Sequence, residues 1–215
     1  MITGAGLLFI LVPGILMVQS NQKIKNITHL SPDWTHILSI KENLATNEAV
    51  SYRSYYGIFG RPKDRLPDKV DGDLKVEWLA KDIAAVTYKA ANDKHKIQQY
   101  IGTYGDRGSG TSYYYVGAEI HGTWQGDGAK VVSGKEGVSV TAGGQTEQFG
   151  WDQIVQFGTL AIVLQKNNEA VWTVALKENF VVDTDASKQT VGDIALYQAT
   201  MGKNEPIILK FKKSE

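Results

Sequence analysis

Residues 159–176 read TLAIVLQKNNEAVWTVAL, and this stretch decides the fold. Thr159 to Gln165 and Ala170 to Leu176 are apolar, β-branched runs of strand length, and Lys166-Asn167-Asn168-Glu169 lies between them. Asparagine tolerates positive φ, so the pair reads as a β-hairpin. Trp172 and Val174 fall on one face of their strand, because side chains alternate across it.

The same pattern extends outward in both directions. Glu119 to Trp124, Lys130 to Val132, Gly137 to Thr141, Gln145 to Phe149, Phe180 to Asp183, Ile194 to Met201 and Ile207 to Lys213 are strand-like. Upstream, His36 to Lys41 and Ala49 to Tyr56 are strand candidates, and Gly57 to Asp73, rich in Gly, Pro and charge, reads as a long exposed loop. Leu74 to Leu79 and Ile83 to Lys89 form a hairpin about Ala80-Lys81-Asp82, and Ile97 to Tyr104 follows. Short strands separated by turn residues predict a mainly β protein, an antiparallel sandwich or small barrel. Gly105-Asp106-Arg107-Gly108-Ser109-Gly110-Thr111-Ser112 divides the chain. The expected organisation is a β-subdomain over 31–104, a Gly-rich seam over 105–112 and a second β-subdomain over 113–215, with one continuous unit as the alternative.

Ahead of these strands, Ile2 to Val18 (ITGAGLLFILVPGILMV) carries no charge and is close to the minimum length that spans a hydrocarbon core. Residues 1–20 read as a cleaved signal peptide or an uncleaved membrane anchor, and 21–30 as a polar tether. Lys23 and Lys25 follow the segment, which by the positive-inside rule alone would leave the folded mass in the cytoplasm. The position at the extreme N-terminus and the lack of cysteine favour export. The expected location is the cell membrane, single-pass, with an extracytoplasmic domain, or the exterior if the leader is cleaved.

Twenty-three Lys and Arg balance 23 Asp and Glu, so no net field draws nucleic acid. With no cysteine, disulfides, thiol nucleophiles, thiolate zinc sites and the lipidated cysteine of a bacterial lipoprotein are excluded. No metal or cofactor is expected. The glycines of the seam lack the Lys-Ser or Lys-Thr of a phosphate loop. Asp183-x-Asp185-x-Ser187 begins like a calcium loop but places Lys188 where glycine belongs and Ile194 where the bidentate Glu should be. Neither H-E-x-x-H nor G-x-S-x-G occurs.

What remains is a set of ligand or partner candidates: Asp106, Arg107, Tyr113, Tyr114, Glu119, His121 and Trp124. A carboxylate, a guanidinium and aromatic faces in one loop suit a polar ligand. Glu119 and His121 would share a strand face as the one acid–base pair. Nine of the ten tyrosines lie between Tyr52 and Tyr115, either filling a sheet face or forming an aromatic platform.

Two resemblances rest on short motifs and a third on the whole chain. Ser31-Pro32-Asp33 leading into a strand looks like the opening of blades in propeller-type periplasmic proteins, with Trp34 where Gly is usual. His121-Gly122-Thr123-Trp124 is similar to the Gly-x-Trp opening of lipocalin-like barrels. That resemblance implies a barrel over the C-terminal half, with the Trp closing one end and an apolar ligand in the other. The whole chain resembles the small membrane-anchored extracytoplasmic proteins of Gram-positive bacteria. The function expected is a non-enzymatic binding module that meets an envelope protein or wall component. A small-molecule carrier and a hydrolase with a site near Asp106, Arg107, Glu119 and His121 are the alternatives. Oligomeric state is open.

Overall fold

The computed structural model describes residues 23–55, 59–91, 93, 95–105, 114–182 and 191–212. The predicted leader, most of the seam and the calcium-like stretch lie outside them. No helix among the described residues is long and apolar enough to cross a membrane.

The described residues are mainly β, in three antiparallel sheets. The first holds β1 (Ile24–Leu30), β2 (Ile37–Asn43), β3 (Glu48–Tyr55) and β4 (Phe59–Arg65), in that order. The second holds β5 (Val70–Ala80), β6 (Ile83–Ala90) and β7 (Ile97–Thr103). A short helix α1 (Val116–Glu119) then leads into a nine-stranded sheet. Its strands are β8 (Gly122–Gly126), β9 (Ala129–Gly134), β10 (Gly137–Ala142), β11 (Gln145–Phe149), β12 (Ile154–Phe157), β13 (Ala161–Lys166), β14 (Glu169–Leu176), β15 (Asp193–Gln198) and β16 (Ile207–Lys212). β16 pairs with β8, so the meander curls into a nearly closed barrel whose free edges are β11 and β12. A 3-10 turn, Trp151–Gln153, connects those edges.

The hairpin that opened the sequence reading is present, with a difference. Only Asn167 and Asn168 form the turn, at φ 54° and 60°, and Lys166 already pairs with Glu169. Two consecutive positive-φ residues give the turn whose twist matches the strands. The register then shifts between Leu164 and Gln165, leaving Val171 as an extra residue in β14. Such a bulge inverts the alternation. Ala170 therefore faces the outer cluster, while Val171 and Trp172 both face the barrel interior, followed by Val174 and Leu176.

Among the described residues, one hydrophobic cluster fills the barrel and two lie between successive layers. The barrel interior is filled by Trp124, Phe149, Ile162, Leu164, Trp172, Phe180 and their neighbours. Ile83, Ala85 and Ile101 of the middle sheet pack on Ala161, Val163, Ala175 and Tyr197 of the outer barrel wall. Ala84, Val86, Tyr88 and Tyr100, on the other face of that sheet, pack on Leu38, Ile40 and Ala49 of the first sheet. β6 is thus covered on both sides, which explains its unbroken run Ile83-Ala84-Ala85-Val86. A buried polar chain joins the middle sheet to the barrel. Gln99 donates to the Thr87 hydroxyl at 2.9 Å, and Thr173 donates to the Gln99 carbonyl oxygen.

Three expectations need correction. Residues 57–73 are not one loop, since β4 and the start of β5 occupy much of the segment. β4 is an edge strand, where Pro62 and a run of charges are tolerated because the outer hydrogen-bonding side needs no partner. The polar stretch before Ser31 is not merely a tether, because Ile24–Leu30 is β1, pairing with β2 throughout its length. Glu119 does not begin a strand. It ends α1, and the strand starts at Gly122.

Candidate functional site

The loop between β1 and β2 is short, polar and heavily tied. Asp33 Oδ1 accepts hydrogen bonds from Ser31 Oγ at 2.7 Å, Thr35 Oγ1 at 2.8 Å and Thr35 N at 3.2 Å. Ser31 Oγ in turn accepts from His36 N at 2.9 Å, and Ser31 N donates to His36 O at 2.9 Å. Trp34 N donates to Ser31 O at 2.9 Å. These bonds hold the Asp33 carboxyl down at about 2, chiefly through the Ser31 and Thr35 hydroxyls.

The product of this network is Trp34. Its φ is 63°, in the left-handed region that a bulky side chain rarely enters, and 78% of its surface is exposed. A conformation of this kind costs on the order of 1–3 kcal/mol and persists where surrounding bonds over-determine it. An indole would ordinarily recover free energy by turning inward. Here the backbone is fixed so that the ring projects into solvent. Leu30 and Ile37, opposite one another at the loop's base, add apolar surface that is 45% and 39% exposed.

Behind the tip runs a ridge of rings. His36 stacks on Tyr104 at 4.9 Å and 18°, and Tyr104 lies 5.9 Å from Trp78. The Arg53 guanidinium sits 5.6 Å from the Tyr104 ring and donates to Thr103 O at 2.6 Å. The Tyr104 hydroxyl donates to Ile37 O at 3.0 Å, fixing β7 to the base of the loop. Burial pushes that hydroxyl up to about 12, against the pull of Arg53. The arrangement can bind an apolar or aromatic surface through the tip, with a cation and stacked rings supporting it.

The residues singled out from sequence do not assemble into one site among the described residues. Asp106, Arg107 and Tyr113 lie outside those residues. Tyr114 is buried in the barrel cluster, its carbonyl accepting from Gln156 Nε2 at 2.9 Å. Trp124 is fully buried inside the barrel, donates to Ile120 O at 2.8 Å and contacts the rings of Phe180 and Phe211. Neither Tyr114 nor Trp124 offers a face to a partner in this structure. Glu119 and His121 do not share a strand face, because Glu119 closes α1 and His121 N donates back to Ala118 O at 3.0 Å. Burial raises the Glu119 carboxyl above its ordinary 4.5.

Other tyrosines serve the core: Tyr88, Tyr100 and Tyr197 are buried between layers, and the Tyr100 hydroxyl donates to Asp64 Oδ2 at 3.0 Å. Trp34 was missed as a site, although one signal pointed to it. A tryptophan stands in the turn position where a glycine is usual, and φ there is positive. A surface pocket of about 280 Å³ is lined by Glu48, Ala49, Arg65, Leu66, Pro67, Asp68 and Lys69, with charges of both signs. No group of three or more His, Asp or Glu among the described residues could hold a metal ion. Comparison with protein-family models, with characterised proteins and with solved structures finds no match.

Proposed function

We propose that the protein is a membrane-tethered, extracytoplasmic binding module that engages an envelope protein or wall component through the tip of the β1–β2 hairpin. The observation that carries this reading is Trp34, an indole held outward on a strained backbone by a network with no other evident purpose. Interfaces draw much of their affinity from a few Trp, Tyr and Arg side chains, and this corner presents all three types in Trp34, Tyr104 and Arg53. The apolar leader, Ile2 to Val18, supplies the tether in this reading.

The test is binding of the full-length chain in detergent to cell-wall sacculi and to solubilised envelope proteins, with photo-crosslinking from position 34. Trp34→Ala is expected to weaken binding by roughly 30-fold, the loss of about 2 kcal/mol typical of a central anchor, with an unchanged melting temperature. Equal binding by Trp34→Ala and the unaltered chain overturns the assignment of the tip. A carrier reading finds no support in a barrel interior occupied by Trp124, Phe149, Trp172 and Phe180.

A further inference from the structure

β1 is the edge strand of the first sheet, and its open side faces no other strand among the described residues. Which backbone groups point there follows from the ladder. Leu44 N donates to Lys23 O at 2.8 Å and Ser31 N donates to His36 O at 2.9 Å, on either side of a register without shifts. The odd-numbered residues from 23 to 31 therefore bond to β2. In an antiparallel pair, adjacent residues direct their N–H and C=O to opposite sides. The groups of Ile24, Asn26, Thr28 and Leu30 are left aimed at the open edge.

Natural sheets usually blunt such an edge with proline, a bulge or charge. The opposite edge, β4, has all three: Pro62, a register shift opposite Ser51 and Tyr52, and Arg61, Lys63, Asp64 and Arg65. β1 has no proline and no bulge. Its one lysine, Lys25, is drawn to acidic groups of its own chain, donating to Asp73 Oδ1 on β5 of the second sheet at 2.9 Å and lying 4.0 Å from Glu42 on β2.

The sequence of β1, Ile24-Lys25-Asn26-Ile27-Thr28-His29-Leu30, is complementary to itself when reversed about Ile27. Ile24 then faces Leu30, Asn26 faces Thr28, and Ile27 faces its own copy. The outward-aimed residues become the hydrogen-bonded pairs, as the ladder geometry requires. Ile27, which already packs against the cluster between the first two sheets, would meet the second Ile27 and join the two cores. The 45% of Leu30 left exposed would lie against Ile24 of the other chain. We propose that β1 is a homodimerisation edge, pairing antiparallel with β1 of a second copy about a two-fold axis at Ile27, so that two first sheets become one continuous sheet. Such an interface is isologous and closes on itself, leaving only the blunted β4 edges at either end of the joined sheet. It is independent of the role given to Trp34.

The chain contains no cysteine, so a single introduced one cannot form a disulfide within its own chain. Ile27→Cys in the full-length chain, in detergent and in native membranes, is expected to give a disulfide-linked dimer under mild oxidation. Lys63→Cys, on the opposite edge, is expected to give none. Thr28→Pro removes an outward N–H and no bond within the sheet, so it should abolish the Ile27→Cys dimer while leaving the circular dichroism spectrum unchanged. Sedimentation of the otherwise unaltered chain, with and without Thr28→Pro, reads the same equilibrium without relying on a cysteine at position 27. The proposal is overturned by a monomer in sedimentation, by equal crosslinking at 27 and 63, by crosslinking of position 27 only to a different polypeptide, or by a dimer that survives in folded Thr28→Pro.

Discussion

The indole N–H of Trp172 on β14 donates to Glu147 Oε2 on β11 at 2.8 Å, joining two strands that are not neighbours in the sheet. The bond reaches across the free edge of the barrel, where β11 and β12 do not pair. The bulge at Val171 sets the phase that turns Trp172 inward. A side-chain bond thus ties β11, one free edge, to β14, two strands in from the other edge.

Truncating Trp172 to Ala removes both the packing and the bond, and is expected to cost about 3–5 kcal/mol in urea unfolding. Trp172→Phe keeps much of the packing and leaves Glu147 without its donor, at an expected cost of roughly 1–2 kcal/mol. A cost for Trp172→Ala below about 1 kcal/mol would place this residue outside the core, against the structure.

Gly117 in α1 lies under the Trp151 ring. A Cβ added at position 117 would stand 2.4 Å from Trp151 Cζ3 and 2.8 Å from Cη2. The ring cannot swing freely, because its Nε1 donates to Lys135 O at 2.9 Å. Gly117→Ala should destabilise the chain by about 1–3 kcal/mol through overpacking. Adding Trp151→Phe should recover part of that, with a coupling above about 0.5 kcal/mol in a double-mutant cycle. Simple additivity would show that the two residues do not press on each other.

Thr173, Gln99 and Thr87 are fully or almost fully buried between barrel and middle sheet. Thr173→Val keeps the shape but takes the donor from the Gln99 carbonyl oxygen, and should cost about 1–3 kcal/mol. Hydrogen exchange at β7 and β14 amides should accelerate together, because the bond spans both strands. Acceleration confined to β14 would mean that the bond does not couple the layers.

The Asp33 carboxyl is held at about 2, below its ordinary 3.8, by bonds present only in the folded loop. The sign follows from proton linkage. A carboxylate with a depressed folded-state value contributes order above its unfolded value, and loses that contribution as pH falls from 3.8 through about 2. The Thr35 amide and Trp34 indole resonances should therefore titrate together near pH 2, and Asp33→Asn should leave them unresponsive over that range. A midpoint at 3.8 would show that the loop bonds do not form in solution.

Much of the architecture was legible from local pattern. The hairpin at 159–176, the strands Ile83–Lys89 and Ile97–Tyr104, and the stretch after Ile194 all read correctly as β, because side-chain period and turn residues are properties of adjacent positions. β1 and β4 were missed for one reason. Edge strands meet the core weakly and carry polar residues, so their composition resembles that of loops. Of the candidate site, the turn Ser31-Pro32-Asp33 was legible, but the exposure of Trp34 was not.

The sequence by itself determined the class of structure, the lack of any cysteine chemistry, the turn chemistry at Asn167 and Asn168, and the apolar character of the first residues. These are set by side-chain identity and by spacing within a few positions. The tertiary structure alone decided which strand closes on which and that β6 is covered on both faces. It also decided that Trp124 and Tyr114 are core while Trp34 is presented to solvent. Most of those outcomes depend on contacts between residues far apart in the chain and on a bulge in β14, while the presentation of Trp34 depends on the geometry of hydroxyl bonds within residues 31–36.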